Sequence, residues 1–288
     1  MQKMLWDILS QNTSETEKSW LQNNSVSNPL ELMTAFVACP RFLSKKIVSV
    51  DAIRAQQLAD SLPGFSVEDW SLVRLARVWL LTHLDPSDKD AYIKSITTLF
   101  DTAELNELVA LYSALPILAY PENWLFRATD AVRSNMGFVF DAIAMRNPYP
   151  AHNFNEPAWN QLVMKTIFND KPIHFLYGLE EKRNQNLAQI LSDFAHERWA
   201  AGRSVAPQVW RLITPFMDDA LVDDMKHLLE SKYEENRQVA AICCIESGYQ
   251  PAIELIKNYP DLEKAVAGKQ LQWSDFETKE LNTYVPKP

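Results

Sequence analysis

The sequence predicts an all-α fold, and three observations support that prediction. Helix-start signals recur along the chain, with a capping Asn or Asp followed by Pro and an acidic residue in the first turn, as in residues 28–31 and 85–88. Between such starts, apolar residues recur at spacings of three and four, for example within residues 187–194. Strand-like alternation is hard to find, and only 6 glycines are present for hairpin turns.

Further helix starts follow in chain order. Residues 66–69 and 101–104 combine a cap with acidic residues, and residues 155–157 and 204–207 place Pro in a first turn, where its missing N–H costs little. We therefore expect about a dozen helices of about 12–18 residues with short connections, so that sequential neighbours pack as antiparallel pairs.

Two predicted helices, at residues 67–84 and around 239–245, are apolar over most of their circumference. A helix of this kind is covered on both sides. A stack of antiparallel helix pairs provides such cover, so the sequence favours a HEAT-like α-solenoid, although no fixed repeat period is present. A closed multi-helix bundle is the alternative.

No linker rich in Pro, Gly or Ser interrupts the helical pattern, so we expect a single all-helical domain over residues 1–288. Polar patches near the start predict an irregular N-terminal segment over about residues 1–27. A Pro-containing end predicts an irregular C-terminal tail over about residues 269–288.

Charge and hydropathy limit the classes of partner. Lys and Arg total 28 and Asp and Glu total 37, a formal net charge of −9, which argues against nucleic-acid binding. The N-terminus lacks the apolar core of a signal peptide, and no stretch reaches the ~18 apolar residues that cross a bilayer. The longest candidate, residues 72–81, is interrupted by Arg74 and Arg77. We expect a cytoplasmic protein without direct membrane insertion.

The three cysteines, Cys39, Cys243 and Cys244, lie in apolar runs and are predicted to be small buried hydrophobes with unreactive thiols. No CxxC spacing, P-loop, GxGxxG or GxSxG motif is present. We predict no metal site and no cofactor.

Residues 193–203 form the densest polar and aromatic segment. On a helix, Asp193, His196 and Glu197 share one face, whereas Arg198 falls in the apolar stripe and is expected to meet a buried acceptor. Ala200 stands where a zincin has its second His, so that motif fails. The segment is either a buried charge network that locks adjacent helices or a functional site.

A second segment, residues 147–154, contains Asn147, Tyr149 and His152 between prolines that favour an extended connection. It is either a rigid corner between helix pairs or the lining of a pocket. Trp159 follows within an apolar stripe, and Asn160 beside it is expected to be partly buried and to need hydrogen-bond partners.

A third set of polar residues has apolar neighbours and no pattern of its own. Its members are Arg133, Asn135, Trp210 and Arg211.

With these segments in view, the chain resembles the EboA family. The resemblance rests on RSN (133–135), AIA (142–144), NPYP (147–150), AWNQ (158–161) and HERWAAGR (196–203), and is specific between about residues 133 and 211. Downstream of Arg211 the likeness is limited to helical character. Five residues match the family motif directly and are carried over as motif residues, without an assigned catalytic role: Asp193, His196, Glu197, Arg198 and Arg203, with Trp199 between them.

The resemblance implies a role in metabolite traffic. Genes of this family lie in a small operon of bacteria and algal plastids, associated with moving secondary-metabolite precursors, such as sunscreen intermediates, from cytoplasm to periplasm. A prenyltransferase-like membrane protein and a TIM-barrel-like protein accompany it. The expected partners are other proteins of that operon, a hydrophobic small metabolite, or both.

Three hypotheses follow. The leading one is a non-enzymatic helical-repeat protein acting as adaptor or carrier, in which Arg198→Ala destabilises the fold. The second is an enzyme acting on a hydrophobic or aromatic precursor, with His196 as general acid/base, Asp193 or Glu197 as its orienting carboxylate and Arg203 as an anion clamp. The third is a metal site that uses His152, His196 and a carboxylate.

Overall fold

A computed structural model describes residues 1–26 and 28–283, with side chains described through Thr278. Within these ranges the regular structure is helical, with eighteen α-helices, four short 3-10 turns and no β-strand. An isolated antiparallel bridge joins Ile47 and Ser71. The all-α prediction is therefore confirmed, whereas the solenoid arrangement stays a prediction.

The helices are numbered in chain order. The first eleven are α1 Gln2–Asn12, α2 Glu15–Asn24, α3 Pro29–Phe42, α4 Ala52–Ser61, α5 Leu72–Leu81, α6 Lys89–Thr102, α7 Leu105–Ala114, α8 Leu125–Arg133, α9 Gly137–Ala144, α10 Tyr149–Asn153 and α11 Glu156–Phe168. The remaining seven are α12 Gln185–Ala200, α13 Val209–Ile213, α14 Asp219–Leu229, α15 Glu234–Glu246, α16 Gln250–Ile256, α17 Pro260–Ala267 and α18 Trp273–Thr283.

The chain divides into two compact units. The first contains Met1–Trp159 together with Phe175–Tyr177, and the second contains Asn160–His174 and the described residues from Gly178 onward. The prediction of a single domain stays a prediction, because a compact unit need not fold on its own.

The first unit is built around α5. All residues of α5 except Arg74 are buried, and the helix packs against α1, α3 and α7, while α7 packs in turn on α9. The predicted cover on both sides of this helix is thus confirmed.

Residues Phe175–Tyr177 are held in the first unit by backbone and ring contacts. The Phe175 carbonyl accepts a 2.8 Å bond from the Arg146 N–H, and the Arg146 guanidinium lies 4.1 Å from the Phe175 ring centroid. Tyr177 packs against Gly64, whose φ of +81° and close approach to that ring leave no room for a Cβ.

The second unit is built around α15, which packs against α13, α14, α16 and α17. Its apolar run from Val239 to Cys244 is buried, so the second helix predicted to be covered on both sides is also confirmed.

The N-terminal segment is helical, which corrects the expectation of an irregular segment over residues 1–27. In α1, Leu5, Ile8 and Leu9 recur at helical spacing and are buried. In α2, Ser14 and Glu17 form a capping box, and Glu17 also accepts a 2.7 Å bond from the Ser44 N–H. Partial burial alone would raise the pKa of Glu17, but the backbone N–H groups of Ser14 and Ser44 bond its carboxylate and bring the pKa down to about 2.

The C-terminal tail predicted over residues 269–288 also contains a helix. α18 occupies Trp273–Thr283, and the Asp275 carboxylate accepts a 2.8 Å bond from the Gln272 N–H at its start. Residues 284–288 lie outside the described part of the chain.

Helix starts were predicted well where the signal is local. The Asn28 side chain caps α3 by accepting from the N–H groups of Leu30 and Glu31, and Asn155 accepts from the Ala158 N–H in α11. The start predicted at residues 85–88 falls later, because Asp85 bonds Ser87 in a turn and Asp88 is the cap of α6.

Three other starts were wrong, and the one at residues 101–104 was predicted one turn too early, because Asp101 and Thr102 end α6 and Glu104 is the cap of α7. The expected helix from Val67 begins only at Leu72, because Asp69 has a φ of +62°. Two backbone bonds, from the Val48 N–H to the Trp70 carbonyl and from the Leu72 N–H to the Lys46 carbonyl, also hold the chain extended. Likewise, α13 begins at Val209, after the Pro207 turn rather than within it.

All three cysteines are free and buried, as predicted. Burial raises the pKa of the Cys39 and Cys244 thiols to about 12, and it also raises the pKa of Cys243. Among the described residues, no helix has both the length and the apolar character that a bilayer crossing needs.

Candidate functional site

The helix that carries the 193–203 segment is α12, whose exposed face holds Asp193, His196 and Glu197. His196 Nε2 lies 2.5 Å from Asp224 Oδ1, and the Ser192 hydroxyl donates a 3.0 Å bond to Asp224 Oδ2. Asp224 belongs to α14 and is only 5 % exposed. The acid therefore fastens α12 to α14 through two side chains.

These three groups do not form a nucleophile and base pair. In a Ser-His-Asp triad the hydroxyl bonds the imidazole, whereas here Ser192 and His196 both bond the carboxylate. The His196 side chain is 56 % exposed. Catalysis by His196 stays a prediction, and this geometry gives it no water-excluding pocket.

Arg198 corrects the expectation of a buried acceptor for its guanidinium. Its Nε donates a 3.0 Å bond to the exposed carbonyl of Ser204, and its guanidinium lies 5.9 Å from the Phe194 ring centroid. Arg203 is exposed. The helical wheel placed Arg198 on the apolar stripe, but its long side chain reaches past the end of the helix.

The end of the HERWAAGR string has a structural explanation. Gly202 adopts a φ of +67°, its N–H bonds the Trp199 carbonyl at 2.9 Å, and the Arg203 N–H bonds the Arg198 carbonyl at 2.8 Å. These bonds form a Schellman motif, in which a left-handed glycine ends the helix.

Trp199 and Trp210 form an aromatic stack in the second unit. Their ring centroids are 5.5 Å apart with planes 16° apart, and the His227 ring lies 4.2 Å from Trp199. Trp210 is 1 % exposed. The pair joins the end of α12 to α13 and to α14.

Arg211 lies at the centre of an ion-pair network. It pairs with Glu180 and, at 2.5 Å, with Glu277 of α18, while Arg183 pairs with Glu180 at 2.6 Å. Its role in the described contacts is to tie α13 to α18 and to the connection before α12.

Residues 147–154 include a short helix, α10, rather than the expected extended connection, because Pro150 occupies the first turn, where a proline is tolerated. The Asn147 amide donates to the carbonyls of Tyr112 (3.1 Å) and Ala142 (2.8 Å), and its oxygen accepts from the Tyr149 N–H (3.0 Å). One buried carboxamide thus joins α7, α9 and α10.

The Tyr149 ring is buried and packs edge-on against Phe154, and its hydroxyl donates a 2.5 Å bond to the Pro121 carbonyl. Burial raises the pKa of Tyr149. His152 is exposed and lies 5.6 Å from the Tyr177 ring. These contacts favour the rigid-corner interpretation of the segment.

Asn160 finds the partner that its burial requires. Its Nδ2 donates a 3.2 Å bond to Asn184, and the Asn184 amide donates one of 2.8 Å in return. Because Asn184 also caps α12, the pair fixes the start of α12 to α11. Trp159 is 1 % exposed.

The Arg133 and Asn135 side chains are exposed. Arg133 pairs loosely with Asp130 at 3.7 Å.

A cavity of about 430 Å³ lies in the first unit. Its walls come from α3, α5, α7 and α9 and from residues beside α3, α5 and α7. The apolar side chains on the wall are Pro40, Val73, Val109 and Phe138. The charged ones comprise three cations and four acids: Lys45, Arg74 and Arg77, with Asp69, Glu104, Glu107 and Asp141.

Arg77 and Glu107 form a buried pair in this wall. Arg77 Nη2 lies 3.0 Å from Glu107 Oε1, with the two side chains 3 % and 8 % exposed. Arg77 Nε donates to the Phe36 carbonyl at 3.0 Å, and Glu107 accepts a 3.1 Å bond from the Glu104 N–H. Burial lowers the pKa of Arg77, and Glu107 among other groups opposes that shift.

Arg74 is held differently. Its Nε donates a 2.9 Å bond to Ser113 Oγ, and its guanidinium lies 4.2 Å from the Trp70 ring centroid. Among the residues that the structure describes, none forms an ion pair with Arg74 within 4 Å. None of them accepts a hydrogen bond from its two terminal nitrogens. Burial lowers the pKa of Arg74 to about 9, opposed by the charge of Asp141, so the side chain is cationic at neutral pH.

A second cavity, also of about 430 Å³, lies between α4 and residues 65–68. Its longer polar side chains are engaged, since Gln56 bonds Asp60 at 2.7 Å and Glu68 pairs with Arg146 at 3.1 Å. The cavity beside Arg74 is therefore the better candidate for a polar ligand.

A family model described as metabolite traffic protein EboA matches residues 1–214. The chain belongs to the EboA family. Among curated proteins and among solved structures, no match to the chain was found.

In this EboA-family chain, the matched range contains the whole lining of both cavities, together with α12 and α13. Asp224, His227 and Glu277, which contact α12 or α13, lie beyond it. Across the described side chains, no group of three or more His, Cys, Asp or Glu is placed to hold a metal ion.

Arg74, Arg77 and Glu107 were not predicted as site residues from the sequence, although a signal was present. Two arginines stand in a helix whose other residues are apolar, and a guanidinium inside an apolar helix needs an acceptor or a ligand. Asp224 was missed as well, although it lies on the apolar stripe of α14, one turn before Leu228.

Proposed function

We propose that this chain is a non-enzymatic carrier that binds a small metabolite in the cavity beside Arg74. The observation that carries the proposal is a chamber of about 430 Å³ that contains a guanidinium with two unengaged nitrogens. Small-molecule sites usually measure about 300–1,000 Å³ and combine an apolar lining with a few polar groups. Membership of the metabolite-traffic family gives such a ligand a biological role.

The contacts that fix the walls of the cavity support specific binding of a ligand rather than non-specific association. Arg77 and Glu107 hold α5 to α7, and Asn147 holds α7 to α9. A site that is rigid before binding loses less conformational entropy when the ligand arrives.

The same contacts argue for a carrier rather than an enzyme. The most enclosed acid on the wall, Glu107, accepts bonds from Arg77 and from the Glu104 N–H. A carboxylate engaged in this way is poorly available as a general base.

An adaptor role is the second candidate, supported by exposed apolar side chains on α3. Leu30 and Val37, two turns apart on one face, are 73 % and 48 % exposed. This face could contact another protein of the same traffic system.

The test is native mass spectrometry of the untagged full chain from its own host. We compare the wild type with Val109→Trp, which fills the cavity, and with Val37→Trp, which makes the same change on the exposed face of α3. The wild type and Val37→Trp are expected to carry a small-molecule mass that Val109→Trp lacks, with all three showing native circular dichroism.

Two results would overturn the carrier proposal. One is a wild-type chain without a small-molecule mass, and the other is retention of that mass by Val109→Trp. If the wild type and Val109→Trp carry an attached protein that Val37→Trp lacks, the adaptor role is supported instead.

A further inference from the structure

We infer that the ligand of this cavity carries a carboxylate, which Arg74 binds through its two terminal nitrogens. This inference deepens the proposed function and rests on it. It assigns Arg74 as the residue that decides which class of metabolite enters.

The first step is the orientation of Arg74. Ser113 engages Nε at one edge of the guanidinium, and the Trp70 ring lies 4.2 Å away. These two contacts restrain the plane, so that the remaining N–H groups form a fork of fixed geometry. Because Arg74 lines the cavity and is partly exposed, a ligand has access to that fork.

The second step is a comparison within the same helix. Arg77, one turn further along α5, has its carboxylate in Glu107 at 3.0 Å, whereas Arg74 has none within 4 Å in the described structure. A guanidinium removed from bulk water gains most from a carboxylate or phosphate that accepts two parallel hydrogen bonds.

The third step decides between carboxylate and phosphate. Four acidic side chains share the wall with three cations, and Glu107 already neutralises Arg77. Because the wall, with Asp141 beside Arg74, already has one more acid than cations, a phosphate monoester with nearly two negative charges would meet about twice the repulsion of a carboxylate with one. Val73, Val109 and Phe138 provide apolar contact for the rest of the molecule.

The test uses the small molecule released when the wild-type chain is denatured. Treatment with trimethylsilyldiazomethane is expected to add one methyl group to a molecule whose accurate mass shows no phosphorus or sulfur, the signature of a monocarboxylate. A product with no added methyl group, or the doubly methylated product of a phosphate monoester, would overturn the assignment.

Matched variants test the role of Arg74. Arg74→Lys keeps the charge but loses the fork, and its occupancy by the same molecule is expected to fall about tenfold. The control Arg133→Lys makes the same change at an exposed arginine outside the cavity and is expected to keep wild-type occupancy. Unchanged occupancy in Arg74→Lys, with its melting temperature preserved, would overturn the role of this residue.

The failures of the two proposals can be told apart. If no small molecule is released, or if Val109→Trp still carries it, the carrier proposal fails and this inference fails with it. If a cavity-bound molecule is present but lacks a carboxylate, the carrier proposal stands and this inference alone is wrong.

Discussion

Asn147 shows how one side chain can hold the wall of a candidate site without touching a ligand. Its carboxamide makes three hydrogen bonds to backbone groups of α7, α9 and α10 and is 4 % exposed. A hydrophobic side chain of similar size would leave those backbone groups unsatisfied, because water is excluded there.

We therefore expect Asn147→Ala to lower the free energy of unfolding by about 1–3 kcal/mol, the usual range for buried polar groups left without a partner. The matched change Asn135→Ala, on an exposed side chain, should stay within about 0.5 kcal/mol of wild type. Urea denaturation of both variants measures the difference. Equal losses would show that the hydrogen bonds of Asn147 contribute little.

At the scale of elements, the packing of α5 against α7 includes one buried ion pair. Arg77 and Glu107 are almost fully enclosed, and Arg77 also bonds the carbonyl of Phe36 in α3. Removing one partner leaves the other charge buried without compensation, which is more damaging than losing both.

Arg77→Ala should therefore destabilise the chain by about 3–5 kcal/mol. The double variant Arg77→Met with Glu107→Gln removes both charges and should lose less than the single variant. Thermal unfolding of the wild type and of both variants provides the comparison. A double variant that is less stable than Arg77→Ala would contradict an uncompensated charge as the cause.

At the scale of the whole molecule, the family match and the structural units have different boundaries. The match ends at residue 214, but the second unit continues, and α12 and α13 are packed by later helices. Asp224 bonds α12, and the Cys243 thiol lies 3.8 Å from the Trp210 carbonyl in α13.

A chain ended after Thr214 should lose the packing of α12, because its contacts with α14 are removed. Hydrogen exchange is expected to show faster exchange of α12 amides than in the full chain. The amides of α5 in the first unit should keep their protection, which makes them the internal control. Undiminished protection of α12 would contradict its dependence on the later helices.

Local chemistry explains which predictions succeeded. The caps at Asn28 and Asn155 and the apolar character of α5 and α15 depend on neighbouring residues, so a single sequence displays them. The late start of α5 depends on backbone hydrogen bonds to residues 46–48. The residues around position 70 contain no local signal that predicts a pairing with a segment more than twenty residues earlier.

The candidate site was predicted only in part for the same reason. Asn160 needed a partner and found one in Asn184. Arg198 has the same residue type as Arg74 and also stands in a helix, yet it reaches an exposed carbonyl, whereas Arg74 lines a cavity. A cavity exists only where several helices meet, so its lining follows from tertiary packing rather than from the pattern of any one helix.

The burial of Cys39, Cys243 and Cys244 has a practical consequence for studying this chain. Because these thiols are protonated and enclosed, maleimide dyes should not label the native protein. A cysteine placed at Asn106, an exposed position on the cavity lining, would then be labelled selectively. Such a fluorophore would report the filling and emptying of the chamber in real time.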